Sequence, residues 1–314
     1  MNLIAQFGGL ENAVLPPAPL HLAIGMFDGV HLGHRAVIEA AVQSARRSGG
    51  TAAVLTFAPH PSTLFRPDQP TRLIMDSGMK ARMLHRLGVE VMVTQPFTPE
   101  FAQVAAEDFL PWLKQRAPQL AAVYVGENFR FGRGRKGDIA LLVAEGRKHG
   151  LTVFSAPRVN FDGEPISSTR IRGLLETGDV AGANALLGYT YFAEGPVVHG
   201  KHLGRTIGFP TLNLGWAPDL RPRYGVYVVR VAGAKSVEAL PGVANYGLRP
   251  TVEQTLEPRL EVHLLGDCPY VAGDSVTVKW LRFLRPEMKF AGVEELCAQI
   301  AVDRAAAAAD FSLR

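Results

Sequence analysis

The chain has 314 residues, of which 47% are hydrophobic and 20% are charged, and its formal net charge is +4. This length predicts about two domains. No apolar run reaches the roughly 18 residues that cross a bilayer, and no secretory signal is visible. The two cysteines, Cys268 and Cys297, lack the spacing of a zinc site or a disulfide framework. We therefore expect a cytoplasmic protein without a membrane span, and its dispersed basic residues favour anionic small molecules over nucleic acid as partners.

The first part of the chain, from residue 15 to about 187, alternates apolar strand-like runs with helical stretches. The predicted strands are HLAIGMF, AAVLTF, VEVMVTQPF, AAVYVGE and LTVFSAP, and the predicted helices lie over 34–47, 77–87, 105–116 and 139–148. This alternation indicates an α/β fold, a mostly parallel sheet with helices on both faces. Ligands of such sheets bind at the carboxyl ends of the strands.

The second part, after Gly188, consists of short β-rich segments separated by Gly and Pro. These segments are YTYFAEGPVV, YGVYVVRVA, RLEVHLL and DSVTVKWLRFL, and they predict a small antiparallel barrel. The alanine-rich segment GVEELCAQIAVDRAAAAADF predicts a helix that packs on the barrel. We place the domain boundary between the two parts, giving domains 1–187 and 188–314.

A turn from a strand into a helix lies at residues 24–34, IGMFDGVHLGH. Glycines, Gly25 among them, allow a tight turn and a close approach to a ligand. The helix that follows from about residue 32 has unpaired N–H groups and partial positive charge in its first turn. His31 and His34 are three residues apart, on one face of that turn, and their imidazoles can donate to phosphate oxygens. The segment predicts a phosphate site.

A second helix start lies at ISSTRIR, residues 166–172. Ser168 and Thr169 offer capping hydroxyls, and Arg170 can form two parallel hydrogen bonds to phosphate. Next to the histidine turn, this segment would complete a polyphosphate site. His60 in TFAPHP either lines a substrate pocket or is solvated. The run 132–137 matches G-x-G-x-x-G, but it does not open a βαβ unit, and we interpret it as a basic loop.

A further polar cluster lies in GRTIGFPTLNL, residues 204–214. Thr211 and Asn213 are two apart in an extended segment and therefore face the same way, so hydroxyl and amide oxygens can jointly meet Mg²⁺. Glu261 follows in the strand segment LEVHLL. Its carboxylate either accepts a proton from a substrate hydroxyl or simply faces outward from the strand.

Four segments of the first part, GMFDGVHLGH, TFAPHP, VGENFRFG and ISSTRIR, resemble in this order the motifs of the bacterial FAD synthetase module of the HxGH nucleotidyltransferase group. The resemblance implies a Rossmann-like sheet that transfers an adenylyl group from ATP to FMN and releases pyrophosphate, without a protein nucleophile. It implies that His31 and His34 contact the ATP phosphates, and that Asp28 organises the turn or a nearby magnesium ion. The other nucleotide-binding and substrate-binding residues would be Gly25, Phe27, His60, Asn128, Ser168, Thr169 and Arg170.

The second part is similar to bacterial flavokinase domains, through GRTIGFPTLN, YGVY, PGVANYGLRPT, LEVHLL and RPEMKF. This resemblance implies a six-stranded barrel that phosphorylates riboflavin with ATP and Mg²⁺. Thr211 and Asn213 would hold the metal and the nucleotide phosphate, and Glu261 would be the base. The remaining assignments are a nucleotide loop around Gly204, Arg205 and Gly208, and a flavin end with Arg285 and Phe290. Gly266 and Pro286 depart from the family pattern, which leaves the local geometry of this site open.

The whole sequence therefore indicates a bifunctional enzyme that makes FMN from riboflavin in the barrel and FAD from FMN in the α/β domain. Two other interpretations stay open. One is an adenylyltransferase for another phosphorylated acceptor, with the barrel as a binding module. The other is a nucleic-acid-binding barrel, which would require exposed aromatic side chains among basic strands; Tyr224, Tyr227 and Trp280 are the candidates.

Overall fold

The computed structural model describes residues 4–200, 204, 207–248 and 258–312. The chain divides into two compact units, Met1–Ser168 and Thr169–Arg314. This division lies earlier than the domain boundary predicted between residues 187 and 188, which stays a prediction. Over the described ranges, no helix is both long and apolar enough to span a membrane.

The first unit is built on a parallel sheet. Its strands are β1 (Ala5–Gly8), β2 (Leu20–Ile24), β3 (Thr51–Ala58), β4 (Val91–Pro96), β5 (Leu120–Gly126) and β6 (Thr152–Ala156), with a small hairpin of β7 (Asn160–Phe161) and β8 (Glu164–Pro165). Its helices are α1 (Leu32–Ser48), α2 (Pro61–Phe65), α3 (Ser77–Arg86), α4 (Phe109–Arg116) and α5 (Ile139–Lys148), with short 3-10 turns at Leu10–Asn12, Phe101–Gln103 and Arg133–Arg135.

The six parallel strands lie in the order β1-β4-β3-β2-β5-β6. The five predicted strands and their parallel arrangement are confirmed. Strand β2 is buried along its whole length: Leu20, Leu22 and Ile24 pack in a cluster with residues of α4 and α5, and α1 packs against β2, β3 and β5. The chain runs from β2 outward to β4 and then returns to β5 on the other side of β2. The carboxyl ends of β2 and β5 are therefore the switch point at which such sheets bind ligands.

The second unit is a closed antiparallel barrel with flanking helices. Its helices are α6 (Ser168–Thr177), which begins at the unit boundary, α7 (Val180–Leu187) and α8 (Val293–Ser312). Its strands are β9 (Phe192–Val198), β10 (Leu212–Leu214), β11 (Gly225–Gly233), β12 (Leu240–Leu248), β13 (Pro258–Leu264) and β14 (Ser275–Arg285). They pair around the barrel in the order β10-β13-β12-β11-β14-β9, which confirms the predicted barrel.

The interior of the barrel holds an aromatic cluster of Trp216, Tyr227, Tyr246 and Trp280. Tyr227, Tyr246 and Trp280 are fully buried, and the Tyr227 and Trp280 rings meet edge to face with centroids 4.5 Å apart. Tyr227 and Trp280 are thus core side chains, not the exposed aromatics that the nucleic-acid interpretation requires. On the outside, α8 packs on β11 and β12, as predicted for the alanine-rich helix.

Candidate active sites

The turn between β2 and α1 has an unusual backbone. Phe27, Gly29 and Val30 all have positive φ, at 47°, 85° and 38°. Phe27 and Val30 are buried. Side chains other than glycine rarely adopt this conformation, and they keep it only where the surrounding structure fixes it. The surrounding structure therefore stabilises the backbone conformation of this turn.

The two histidines stack at the start of α1. His31 caps the helix: its Nδ1 accepts a hydrogen bond from the backbone N–H of His34 at 3.2 Å, and the two rings are stacked with centroids 3.6 Å apart. Because Nδ1 is the acceptor, the proton of the neutral His31 imidazole is on Nε2, which can donate. Gly33 makes room for the His31 ring, since a Cβ there would lie 3.2 Å from His31 Cε1. The predicted placement on one face is confirmed.

Asp28 ties this turn to two other segments. Its buried carboxylate accepts from the backbone N–H of Ile74 at 3.0 Å and of Met75 at 3.4 Å, just before α3. Its backbone carbonyl accepts from the Ser168 hydroxyl at 2.9 Å. These contacts hold the turn to the segment before α3 and to Ser168.

Other predicted residues follow neighbouring strands at the same edge of the sheet. His60 follows β3 and caps α2, with its Nδ1 accepting from the Ser62 N–H at 3.1 Å. Asn128 follows β5, and its side-chain oxygen accepts from Arg158, which also pairs with Glu127 at 2.8 Å. A Cβ on Gly25 would lie 3.1 Å from the Phe27 ring. Thr169 and Arg170 lie in the first turn of α6, in the second unit.

A polar row crosses the barrel strands around Glu261. On β13, Glu261 lies directly opposite Asn213 of β10 on one side and Asn245 of β12 on the other. Residues paired in this way project from the same face of a sheet. The Oδ1 atom of Asn213 is buried and has no hydrogen-bond partner among the described residues. The sequence did not identify Asn245, because its position depends on the register of β12.

One cavity of the barrel unit brings most of these residues together. It is lined by five residues predicted from the sequence, Gly204, Thr211, Glu261, Arg285 and Phe290, and by Asn245, His263, Glu287, Asp303 and Arg304, which were not predicted. Gly208 and Asn213 are not among the lining residues, and Arg205 lies outside the described residues. The cavity is therefore formed jointly by barrel strands and α8.

Arg285 is fixed by α8. Its guanidinium donates to both carboxylate oxygens of Asp303, with distances of 2.8–3.2 Å, and its NH1 group donates to the Pro286 carbonyl at 3.0 Å. Gln299 adds a hydrogen bond to Asp303 at 3.0 Å. Both partners of the ion pair are largely buried. The flavin role implied for Arg285 thus belongs to a side chain whose orientation Asp303 sets.

Two titratable groups of the cavity have shifted pKa values. Burial raises the pKa of Glu287, although hydrogen bonds from the Leu248 backbone and the Asn245 side chain and the nearby Arg285 oppose this. Burial lowers the pKa of His263. Its Nδ1 lies 2.8 Å from the Pro210 carbonyl, which can only accept, so Nδ1 is protonated. This bond anchors the segment that leads into Thr211.

Comparisons with known proteins show the family of the chain. A family model described as FAD synthetase matches residues 16–170, and one described as riboflavin kinase matches residues 187–311. The bifunctional riboflavin kinase/FMN adenylyltransferase of Escherichia coli K12 is 38% identical over 313 residues, covering 100% of this chain and 99% of that protein. The protein of the same description from Bacillus subtilis is 38% identical, covering 93% and 92%.

A solved structure from Streptococcus pneumoniae, described as a macrolide-efflux protein, has a TM-score of 0.82 and 30% identity, covering 96% of this chain and 97% of that chain. The fold and the two sites define a two-domain transferase of phosphorus-containing groups. The chain belongs to the bifunctional riboflavin kinase/FMN adenylyltransferase family. With both domains present, an adenylyltransferase for another acceptor is not favoured.

Proposed function

We propose that each unit carries one of the two steps, with the residues named above in specific roles. The first unit adenylylates FMN at the turn after β2, and the barrel phosphorylates riboflavin in the cavity under α8. The observation that carries the kinase assignment is the register of β13, which places Glu261 between Asn213 and Asn245 in a row that continues into that cavity.

In the adenylyl transfer reaction, the phosphate of FMN attacks the α-phosphorus of ATP in line, and pyrophosphate leaves. We propose that the N–H on His31 Nε2, the His34 side chain and the start of α1 stabilise the charge that spreads over the phosphate oxygens. Asn128, His60 and Ser168 would position ATP and FMN, with Gly25 and Phe27 shaping the floor of the site. The backbone contacts of Asp28 support its assignment to the shape of the turn.

In the kinase step, the terminal hydroxyl of riboflavin attacks the γ-phosphorus of ATP. We propose that Glu261 accepts the hydroxyl proton as the new O–P bond forms and the bond to ADP breaks. Thr211 and Asn213 would hold Mg²⁺, and the buried Asn213 Oδ1, which has no hydrogen-bond partner within the described part of the chain, fits an oxygen ligand for such a hard cation. The ion, when bound, neutralises charge on the ATP phosphates.

The flavin end of the kinase cavity would be formed by Arg285 and Phe290. The Arg285 guanidinium carbon lies 5.8 Å from the centre of the Phe290 ring, and both side chains line the cavity. A planar cation beside an aromatic ring offers a surface on which a flat, electron-poor ring system can bind. Gly204 and Gly208, with Arg205, would form the nucleotide loop. Because both steps consume ATP, we propose that the protein acts in the cytoplasm.

The test is to incubate the purified protein with riboflavin, ATP and Mg²⁺ and to separate the fluorescent flavins by chromatography over time. A parallel reaction receives FMN instead of riboflavin. We expect FMN to form first and FAD to follow, and FAD to form directly in the parallel reaction. FMN without FAD in both reactions would contradict the adenylyltransferase assignment, and FAD from supplied FMN alone would contradict the kinase assignment.

A further inference from the structure

The first unit contains a buried lysine that the proposed chemistry does not use. Lys80 of α3 is only 7% exposed, although lysines are almost never fully buried unless they are paired. Among the described residues it has no carboxylate within ion-pair distance. Instead, its Nζ donates to the Met26 carbonyl at 2.8 Å and to the Thr56 hydroxyl oxygen at 3.3 Å.

The two acceptors lie near the carboxyl ends of the paired strands β2 and β3, where the chain leads into the histidine turn. Met26 is the second residue after β2, and Thr56 lies in the neighbouring strand β3. The Thr56 hydroxyl also donates to the Met26 carbonyl, at 3.0 Å. One carbonyl thus receives two donors from the interior. Because the peptide bond is planar, fixing the Met26 carbonyl also fixes the N–H of Phe27, the first residue of the turn with positive φ.

We infer that Lys80 is a positioning residue for adenylyl transfer, which holds the strained turn at residues 27–30 so that His31 and His34 meet the ATP phosphates. The inference rests on the proposed role of those two histidines. Lys80 acts on the turn through the Met26 carbonyl, while the Asp28 carboxylate connects the same turn to the backbone of Ile74 and Met75.

The charge of Lys80 adds to this role. Burial lowers its pKa, and the nearby Asp28 carboxylate opposes that shift. The ammonium lies close to the carboxyl ends of β2 and β3, where the proposed site collects phosphate groups. A buried positive charge acts there through a medium that screens it less than water does. Lys80 thus has two roles: it fixes the Met26 carbonyl, and it places a positive charge near the proposed phosphate site.

A purely structural role predicts something different. If Lys80 only supports folding, its replacement lowers the free energy of unfolding of the first unit but leaves the turnover of each folded molecule unchanged. If Lys80 positions the turn, turnover by folded molecules falls, because a displacement of about 1 Å at a reacting group costs on the order of a hundredfold in rate. A measurement of kcat well below the unfolding temperature therefore distinguishes a positioning role from a purely structural role.

The experiment compares three full-length variants. Lys80→Met removes both hydrogen bonds and the charge, and Thr56→Val removes one donor to Met26 with little change in shape. The control, Lys114→Met, removes another lysine that donates to a backbone carbonyl, that of Leu120 at 2.7 Å, but at the amino end of β5. FAD formation from FMN gives kcat and KM for ATP, denaturant unfolding gives stability, and riboflavin phosphorylation reports an intact second unit.

We expect Lys80→Met to lower kcat for FAD formation about a hundredfold, Thr56→Val to lower it less, and Lys114→Met to leave it unchanged, with riboflavin phosphorylation retained in all three. A fourth protein that combines Lys80→Met with Thr56→Val should lose about as much as Lys80→Met alone, because both side chains act on one carbonyl. Wild-type kcat in folded Lys80→Met overturns the inference. If that variant does not fold, unchanged kcat in Thr56→Val overturns it instead. An active His31→Ala variant would overturn the assignment of the histidine turn itself.

Discussion

The two units assemble their sites in opposite ways. In the first unit, one short segment carries both histidines, and the interior fixes that segment through backbone groups such as the carbonyl of Met26 and the N–H of Ile74. In the barrel, the row around Glu261 comes from three strands, and the cavity is completed by α8. The contiguous site of the first unit depends on the conformation of one turn. The dispersed site of the barrel depends on strand register and on the packing of α8 against the strands.

This contrast predicts that each step fails alone, and this is the largest effect we expect. His31→Ala should lower FAD formation from FMN by about 10²–10³-fold, because a donor to the charged phosphates is lost, while riboflavin phosphorylation continues. Glu261→Gln should lower riboflavin phosphorylation by about 10²–10⁴-fold through loss of the base, while supplied FMN still becomes FAD. Chromatography of both flavin products measures this.

Matched variants control for changes in side-chain charge alone. His85→Ala alters an exposed histidine of α3, and Glu238→Gln alters an exposed carboxylate between β11 and β12; both should behave like the wild type. Loss of both steps in His31→Ala or in Glu261→Gln would show that the two sites are not independent.

A second prediction tests whether the barrel site depends on α8. Two aspartates of α8 form bidentate pairs with arginines of β14: Asp303 with Arg285, largely buried, and Asp310 with Arg282, more exposed. Asp303→Asn leaves a buried guanidinium without its counter-charge and should reduce the barrel's free energy of unfolding by roughly 3 kcal/mol, with a rise in KM for riboflavin. Asp310→Asn should cost at most about 1 kcal/mol.

Denaturant unfolding and riboflavin kinetics decide between the two positions. Equal effects of Asp303→Asn and Asp310→Asn would mean that α8 merely covers the barrel. FAD formation from supplied FMN should be unchanged in both variants, because neither aspartate belongs to the first unit.

The smallest effect concerns a histidine at the opposite end of the sheet from the histidine turn. His21 is buried, with its Nδ1 2.9 Å from the Tyr124 hydroxyl and its Nε2 2.8 Å from the Ser48 hydroxyl. Burial, helped by Arg47, lowers its pKa from the ordinary 6.5. The unfolded chain therefore binds more protons than the folded chain just below pH 6.5, so stability is lost as the pH falls through that range and is fully present above it.

Unfolding of the first unit at about pH 7.5 and about pH 5.5 measures this dependence. We expect the wild type to lose more free energy of unfolding between these conditions than His21→Asn does. Equal losses would show that other groups cause the acid sensitivity. The stability of the barrel should be unaffected by the substitution at either pH.

The sequence predicted the sheet well because long apolar runs between helices are a strong signal. It missed β1, a strand of four residues, and β10, a strand of three. It also missed β12, whose residues Pro241, Gly242, Asn245 and Gly247 resemble a loop. Gly247 has a packing reason: a Cβ there would collide with the Glu287 carboxylate. The helix predicted over 105–116 begins only at Phe109.

The site residues also divide into those that a local sequence signal reveals and those that depend on tertiary structure. His31 and His34 were found because their spacing is local, Thr211 because it lies two residues before Asn213 in an extended segment, and Glu261 because the resemblance pointed to it. Lys80 and Asp303 were not found, because a charged residue in a helix normally faces solvent and only the tertiary packing buries it. Asn245 became visible only when the register placed it beside Glu261.

The aromatic cluster inside the barrel gives the two units different optical properties. Of the three tryptophans, Trp216 and Trp280 lie in that cluster with ring centroids 5.7 Å apart, whereas Trp112 lies on α4 with the Arg116 guanidinium 4.4 Å from its ring centre. A protein with Trp112→Phe therefore emits tryptophan fluorescence from the barrel alone. Its emission spectrum reports the unfolding of one unit while the other stays spectroscopically silent.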